Sequence, residues 1–144
     1  MTEISSSRRA PVAAVGVVCL RGDAVLMIQR GRAPLQGHWS LPGGKIEWGE
    51  RAADAALREL AEETGVTAEL LGLIDVVDGL FLGEGESSHY VLIDYAARWV
   101  GGEPAAGDDA AQALFVPLAE LSLLDLWPET MRIILDAHAR FGGA

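Results

Sequence analysis

Five glutamates are crowded into residues 44–66, between two glycine-containing turns, and Arg58 lies among them. Three of the acids, Glu59, Glu62 and Glu63, stand at i, i+3 and i+4, so on a helix they fall within about a third of its circumference. Neighbouring carboxylates repel one another, and hard divalent cations prefer oxygen ligands of this kind. The spacing therefore predicts a divalent-metal site on one face of a helix.

The helix that must carry these acids is predicted over residues 52–64, and Gly65 follows it as a C-terminal cap. The apolar face predicted to pack on a core comprises Ala53, Leu57, Leu60 and Ala61. A second helix is predicted to begin at Trp127-Pro128, with Trp127 in the core. Its buried face is predicted to include Leu126, Met131, Ile134, Leu135 and His138.

The rest of the chain reads mostly as strands. A hairpin is predicted from residues 12–20 and 24–29, which are joined by a Gly-containing turn. Further strands are predicted at 66–77, with a bulge at Gly72, at 89–100 and at 114–116. Loops are predicted at 31–38, 78–87 and 101–107, and the loop at 78–87 is a candidate mobile segment. Mostly strands with two helices indicate a mixed sheet packed between helices, an α/β fold.

Length and composition limit the class of protein. The chain has 144 residues, half of them hydrophobic, which suits a flexible segment at 1–11 followed by a single domain at 12–144. Cys19 stands alone in an apolar run, so a buried inert thiol and a cytoplasmic protein are predicted. The net charge of −10 argues against nucleic acid polymers and membranes as partners. An anionic substrate would then need local cations, which bound metal ions supply.

The acidic segment resembles the Nudix box, Gly-x5-Glu-x7-Arg-Glu-U-x-Glu-Glu-x-Gly-U, where U is a bulky aliphatic residue. Every fixed position from Gly44 to Val66 is filled, with Leu60 and Val66 at the two U positions. The order of elements over residues 12–140 also resembles the Nudix fold, an α/β/α sandwich with a mixed β-sheet. The resemblance implies a small-molecule nucleotide substrate and hydrolysis of a nucleoside diphosphate linked to another group. By analogy to the family it also suggests a homodimer.

The same resemblance implies the metal ligands and their support. Glu59 and Glu63 match the principal ligands of Mg²⁺ or Mn²⁺, and Glu62 matches a ligand or a supporting partner. Glu50 and the carbonyl group of Gly43 would complete the metal shell. The box arginine is Arg58, expected to orient a glutamate by charge-assisted hydrogen bonds.

The general base is left open by the box. In some family members it is a box glutamate, here Glu59 or Glu62, and in others it lies on a downstream loop. The downstream candidates are Asp108 and Asp109, with Glu103 behind them. A plain turn before a strand is the alternative interpretation of the two aspartates.

Candidate substrate-binding residues flank the box. Arg30 and Arg32 could hold a terminal phosphate or a second ribose, although solvent-exposed arginines are the alternative. Phe81, Tyr90 and Trp48 could stack on a base or ribose, although core packing is the alternative.

The sequence is consistent with three alternative functions. The region 101–121 looks like that of bacterial ADP-ribose pyrophosphatase-type members, so ADP-ribose or a related nucleotide sugar is the predicted substrate. That subgroup carries a proline about sixteen residues beyond the box, and this chain has none between Pro42 and Pro104. The first alternative is therefore a (deoxy)nucleoside triphosphate pyrophosphohydrolase that removes damaged nucleotides. A catalytically silent nucleotide-binding module is the alternative from another class.

Overall fold

The computed structural model describes residues 9–32, 35–82, 87–107 and 109–143. Strand β1 (Val12–Arg21) and strand β2 (Ala24–Arg30) form the predicted hairpin, with Leu20 opposite Val25. Gly22 in the turn has φ +60°, a conformation that glycine adopts without steric cost. The base candidate Asp108, part of the 1–11 segment and part of the 78–87 loop lie outside the described residues.

The described residues form a mixed sheet, as predicted, and it has seven strands. The remaining strands are β3 (Trp39–Ser40), β4 (Gly43–Lys45), β5 (Thr67–Phe81), β6 (Ser88–Gly101) and β7 (Ala110–Pro117). The order is β3-β2-β1-β6-β5, while β4 pairs with one end of β1 and β7 pairs with β2. Only the β1–β6 pairing among these is parallel. Strands β2 and β4 both pair with β1, but they do so at opposite ends of it.

Helices cover both faces of the sheet, which confirms the α/β/α sandwich. Helix α1 (Ala52–Thr64) packs on the face that buries Val17 and Cys19 of β1. A 3₁₀ helix (Leu118–Leu124) and helix α2 (Pro128–Phe141) cover the other face, which buries Val18 and Leu20. Successive residues of a strand point to opposite faces, so β1 contributes to both cores.

The buried face of α1 differs from the prediction. Leu57 and Ala61 are exposed, whereas Ala55, Ala56, Leu60 and Thr64 are buried. Thr64 can be buried because its hydroxyl group donates a hydrogen bond of 2.6 Å to the carbonyl oxygen of Leu60. With this face buried, α1 is oriented so that its acidic positions lie next to β4 and do not point fully into solvent.

Two further predictions are wrong in detail. Residues 78–81, assigned to a mobile loop, continue β5, where Asp78 pairs with Val91. In α2 the buried residues are Ile133, Ile134 and Ala137, and Leu135 is half exposed, because the i, i+3 and i+4 row that contacts the sheet excludes it.

The bulge predicted at Gly72 is confirmed as a break in the β5–β6 register.

Cys19 is fully buried, and burial raises its pKa to about 12, so the thiol is held in its unreactive form as predicted. Within the described residues, no helix is long and apolar enough to cross a membrane.

Candidate active site

The acidic face of α1 lies against the paired glycines of β4. The backbone N–H of Gly43 donates a hydrogen bond of 2.7 Å to Oε1 of Glu63. A Cβ atom added at Gly44 would collide with the carboxylate of Glu59. Gly44 therefore lets the backbone of β4 approach the Glu59 carboxylate closely, whereas Gly43 lets β4 approach the backbone of β1 at Val15.

Arg58 is the centre of a network that fixes the neighbouring acids. Its Nε and Nη2 donate to the two carboxylate oxygens of Glu50 at 2.7 and 3.0 Å, a bidentate pair. Its Nη1 donates to Glu62 at 3.1 Å and to Glu59 at 3.4 Å, and Nη2 also reaches the carbonyl oxygen of Lys45 at 3.1 Å. The hydrogen bond from Arg58 lowers the pKa of Glu50, so that carboxyl group stays ionised.

A cleft of about 1050 Å³ runs from these acids to an aromatic end. It brings together most of the residues predicted from the sequence: Arg30, Arg32, Gly43, Arg58, Glu59, Glu62, Glu63, Phe81, Tyr90 and Asp109. Glu50 does not line the cleft and lies behind Arg58. Trp48 is fully exposed and does not line it either, so the structure gives Trp48 neither predicted environment.

The downstream acids are placed differently from one another. The carboxylate of Asp109 forms an ion pair of 3.0 Å with Nε of Arg32, and its carbonyl oxygen accepts a hydrogen bond of 2.8 Å from the N–H of Gly31. Glu103 instead pairs with Arg21 at 3.2 Å and does not line the cleft. The structure thus brings Asp109 and Arg32 into the cleft as a pair and separates Glu103 from it.

The aromatic end is formed by Phe81 and Trp127, whose ring centroids are 5.4 Å apart at an interplanar angle of 53°. The prediction that Trp127 belongs to the core is wrong: it is 37% exposed and lines the cleft. It lies there because α2 begins at the next residue, at the edge of the sheet, where the indole ring meets the end of β5.

Several polar residues of the cleft were missed by the sequence analysis, among them Asp94, Glu129 and Thr130. Asp94 is 6% exposed, and burial, together with repulsion from Asp75, raises its pKa to about 6 against the opposing effect of Arg132. A signal existed, because Asp94 is the one acidic residue in the alternating row of β6 that includes Leu92 and Ala96. Glu129 and Thr130 open a helix and carried no such signal.

The donor set of the acidic end suits a hard divalent cation, since it consists of oxygen atoms. Across the described part of the chain, no three His, Cys, Asp or Glu side chains already surround one point at ligand distance. The reason is visible in the contacts: Arg58 binds Glu59 and Glu62, and the N–H of Gly43 binds Glu63. These partners occupy oxygen atoms that a cation would otherwise share.

Comparison with known proteins agrees with this geometry. The family model described as NUDIX domain matches residues 10–137. The chain is 34% identical over 114 residues to an ADP-ribose pyrophosphatase of Methanocaldococcus jannaschii, covering 79% of this chain and 66% of that protein. It is 30% identical over 113 residues to an oxidized purine nucleoside triphosphate hydrolase of Mus musculus, covering 78% of this chain and 70% of that protein.

Among solved structures, a MutT NUDIX hydrolase of Burkholderia pseudomallei superposes with a TM-score of 0.78 at 31% identity, covering 89% of this chain and 98% of that one. The chain therefore belongs to the Nudix family, whose members hydrolyse phosphoanhydride bonds of nucleotides. It spans 41% and 66% of the length of two of the curated relatives that it matches.

Proposed function

We propose that the chain is a pyrophosphohydrolase that cleaves a phosphoanhydride bond of a small nucleotide and requires Mg²⁺ or Mn²⁺. The observation that carries this proposal is one cleft with two chemically different ends. One end holds the acids of α1, and the other holds the ring pair of Phe81 and Trp127. A nucleotide has the matching polarity, with a charged phosphate chain at one end and a flat base at the other.

The residues of the acidic end take distinct roles in this proposal. Glu59 and Glu63 would hold the cation, with Glu62 as a further ligand or supporting partner and the carbonyl group of Gly43 completing its surroundings. Glu50 would support this shell through its paired hydrogen bonds with Arg58. When bound, the cation neutralises pyrophosphate oxygens and stabilises the charge that moves to the leaving phosphate. Arg58 keeps the acids of the cluster in position and remains charged, because its hydrogen bond to Glu50 raises its pKa.

A carboxylate of the same cleft must accept the proton of the attacking water. Glu59, Glu62 and Asp109 all line the cleft, and because Glu59 is assigned to the cation, Glu62 and Asp109 are the two candidates compared. Comparing Glu62→Gln with Asp109→Asn decides between them. Loss of the general base removes the acid limb of the kcat profile against pH, whereas loss of a group that only positions others lowers kcat at every pH.

A nucleoside triphosphate is the proposed substrate. Arg30 and Arg32 line the cleft with the acidic cluster and could bind terminal phosphates as cations in an otherwise acidic protein. The mouse relative named as an oxidized purine nucleoside triphosphate hydrolase supports this choice. ADP-ribose is the second candidate, and the archaeal relative named as an ADP-ribose pyrophosphatase supports it.

The products distinguish these substrates. Hydrolysis of a deoxynucleoside triphosphate should give the monophosphate and pyrophosphate, whereas ADP-ribose should give AMP and ribose 5-phosphate. We expect a panel of dNTPs, oxidised dGTP, ADP-ribose and NADH, assayed with Mg²⁺ and with Mn²⁺, to show metal-dependent turnover with one preferred compound. Nucleotide binding without turnover of any compound would instead support a silent binding module.

The remaining predictions about partners concern the whole surface. With a net charge of −10, we expect no stable complex with nucleic acid polymers or anionic membranes at physiological salt. A homodimer stays an analogy to the family, which light scattering of the purified chain would test.

A further inference from the structure

Asp94 occupies the floor of the cleft, between its acidic and aromatic ends. One row of paired residues crosses the sheet, in the order Gly43, Gly16, Asp94 and Asp75. Neighbouring strands lie about 4.8 Å apart, so the backbone of Asp94 is roughly 10 Å from that of Gly43. A Cβ atom on Gly16 would collide with Oδ1 of Asp94, so the carboxyl group lies over that glycine.

The carboxyl group of Asp94 is buried without a hydrogen-bond donor among the described residues. No described residue donates to it or forms an ion pair with it, although it is 6% exposed. Its neighbours explain why: Arg132 on α2 is engaged by Asp75 at 3.2 Å and by Glu129 at 2.7 Å, and β1 offers only Gly16 below it. A buried acceptor without a donor destabilises the folded state, so the position calls for a donor from elsewhere.

The surroundings indicate what supplies that donor. Tyr90 and Leu92 share the sheet face of Asp94, because residues two and four apart on a strand point the same way. Both line the cleft, as do Phe81 and Trp127 at its aromatic end. A flat ring that stacks on aromatic and aliphatic side chains would therefore turn its polar edge toward the carboxyl group.

We propose that Asp94 determines specificity by accepting hydrogen bonds from two adjacent N–H groups on the substrate's nucleobase, as on the Watson–Crick edge of guanine. This inference rests on the proposed function and names the class of base that it prefers. An ionised carboxylate is an acceptor only. The corresponding edges of adenine and cytosine place a ring nitrogen acceptor beside the amino group, so they would set lone pairs against the carboxylate.

Asp94→Asn tests this assignment, because an amide offers one acceptor and one donor. We expect kcat/KM for dGTP to fall about 10- to 100-fold, the loss typical of hydrogen bonds to a charged group. The values for dATP and dCTP should hold or rise, since the amide matches their edges. Asp94→Ser should also lower kcat/KM for dGTP, because its side chain has one oxygen atom in place of the two carboxylate oxygens.

The matched control is Asp78→Asn, the same chemical change on the neighbouring strand at an exposed residue that does not line the cleft. It should leave the ranking of the three nucleotides unchanged. Equal losses for all three nucleotides in Asp94→Asn, or an unchanged dGTP value, would overturn the proposal.

Binding of the monophosphates dGMP, dAMP and dCMP to the metal-free protein, measured by calorimetry, separates this proposal from the proposed function. A preference for dGMP that disappears in Asp94→Asn supports the role of Asp94 even if no triphosphate is hydrolysed. Turnover without any base preference in the wild-type protein would instead retain the hydrolase and reject the specificity.

Discussion

At the scale of single residues, the structure shows why a short acidic segment could be interpreted from sequence. The spacing of Glu59, Glu62 and Glu63 is local, and a helix converts it into one face without any information about the rest of the fold. The contacts of Glu63 with Gly43 and of the Glu59 carboxylate with Gly44 could not be predicted this way. They depend on where β4 lies, which is a tertiary property.

Glu63→Gln should lower kcat by several orders of magnitude and leave the fold intact. The amide keeps an oxygen that can accept the hydrogen bond from Gly43 but loses the charge that a divalent cation requires. Steady-state turnover and thermal unfolding measure the two effects. Glu120→Gln, the same change at an exposed acid outside the cleft, should behave as wild type, and near-normal turnover of folded Glu63→Gln would remove the metal assignment.

Arg58→Lys should lower kcat and raise the Mg²⁺ concentration needed for half-maximal activity. Lysine keeps the positive charge but cannot bind Glu50 with two parallel hydrogen bonds and reach Glu62 at the same time. A magnesium titration of activity measures the effect. A lysine variant with the wild-type Mg²⁺ dependence would show that charge alone, and not the planar fork, holds the acids.

At the scale of elements, the contact between β4 and α1 is the feature on which the site depends. Gly44→Ala should reduce activity strongly, because the added Cβ atom would occupy the position of the Glu59 carboxylate. Gly143→Ala is the control, since a Cβ atom there meets nothing within 4 Å. Turnover assays and circular dichroism of both variants test this, and a fully active Gly44→Ala enzyme would show that Glu59 need not lie against β4.

The bounds of α1 and its cap at Gly65 were predictable, because capping and periodicity are local signals. The buried face of α1 was not predictable, because Leu57 fits an apolar stripe as well as Ala55 does. Only packing against the sheet determines which of the two is buried. The extension of β5 over residues 78–81 was missed for a similar reason: pairing with β6 outweighs the local preference of a glycine-containing segment for a loop.

At the scale of the whole molecule, the cleft is assembled from elements far apart in sequence. The acids of α1, the two arginines at the end of β2 and just after it, the floor of β1 and β6, and the start of α2 meet only in the folded chain. The sequence predicted most members of the acidic end, because one motif carries them. It predicted Trp127 wrongly and missed Asp94, because both act through long-range packing.

Burial of Asp94 should make stability depend on pH. Its pKa of about 6 in the folded protein exceeds the ordinary value of 3.8, so between these values the folded state binds more protons than the unfolded state. Stability contributed by this group is therefore present below pH 3.8 and is lost as pH rises through 6. Asp94→Asn should be more stable than wild type by about 3 kcal/mol at pH 7 and by little below pH 4.

Urea unfolding of wild type and Asp94→Asn across this range measures the difference. A difference that does not change with pH would contradict a carboxyl group that is buried and ionised at neutral pH. Stabilisation together with loss of dGTP turnover is the combination expected of a group kept for function at the expense of stability.

The most direct test of the central claim is product analysis of the nucleotide panel with Mg²⁺, with Mn²⁺ and with a chelator, for wild type and Glu63→Gln. We predict that wild type releases pyrophosphate and a nucleoside monophosphate from its preferred triphosphate only when a divalent cation is present, and that Glu63→Gln releases neither at a comparable rate. Hydrolysis that persists in the chelator, or equal rates for the two proteins, would contradict a metal-dependent site built on the acids of α1.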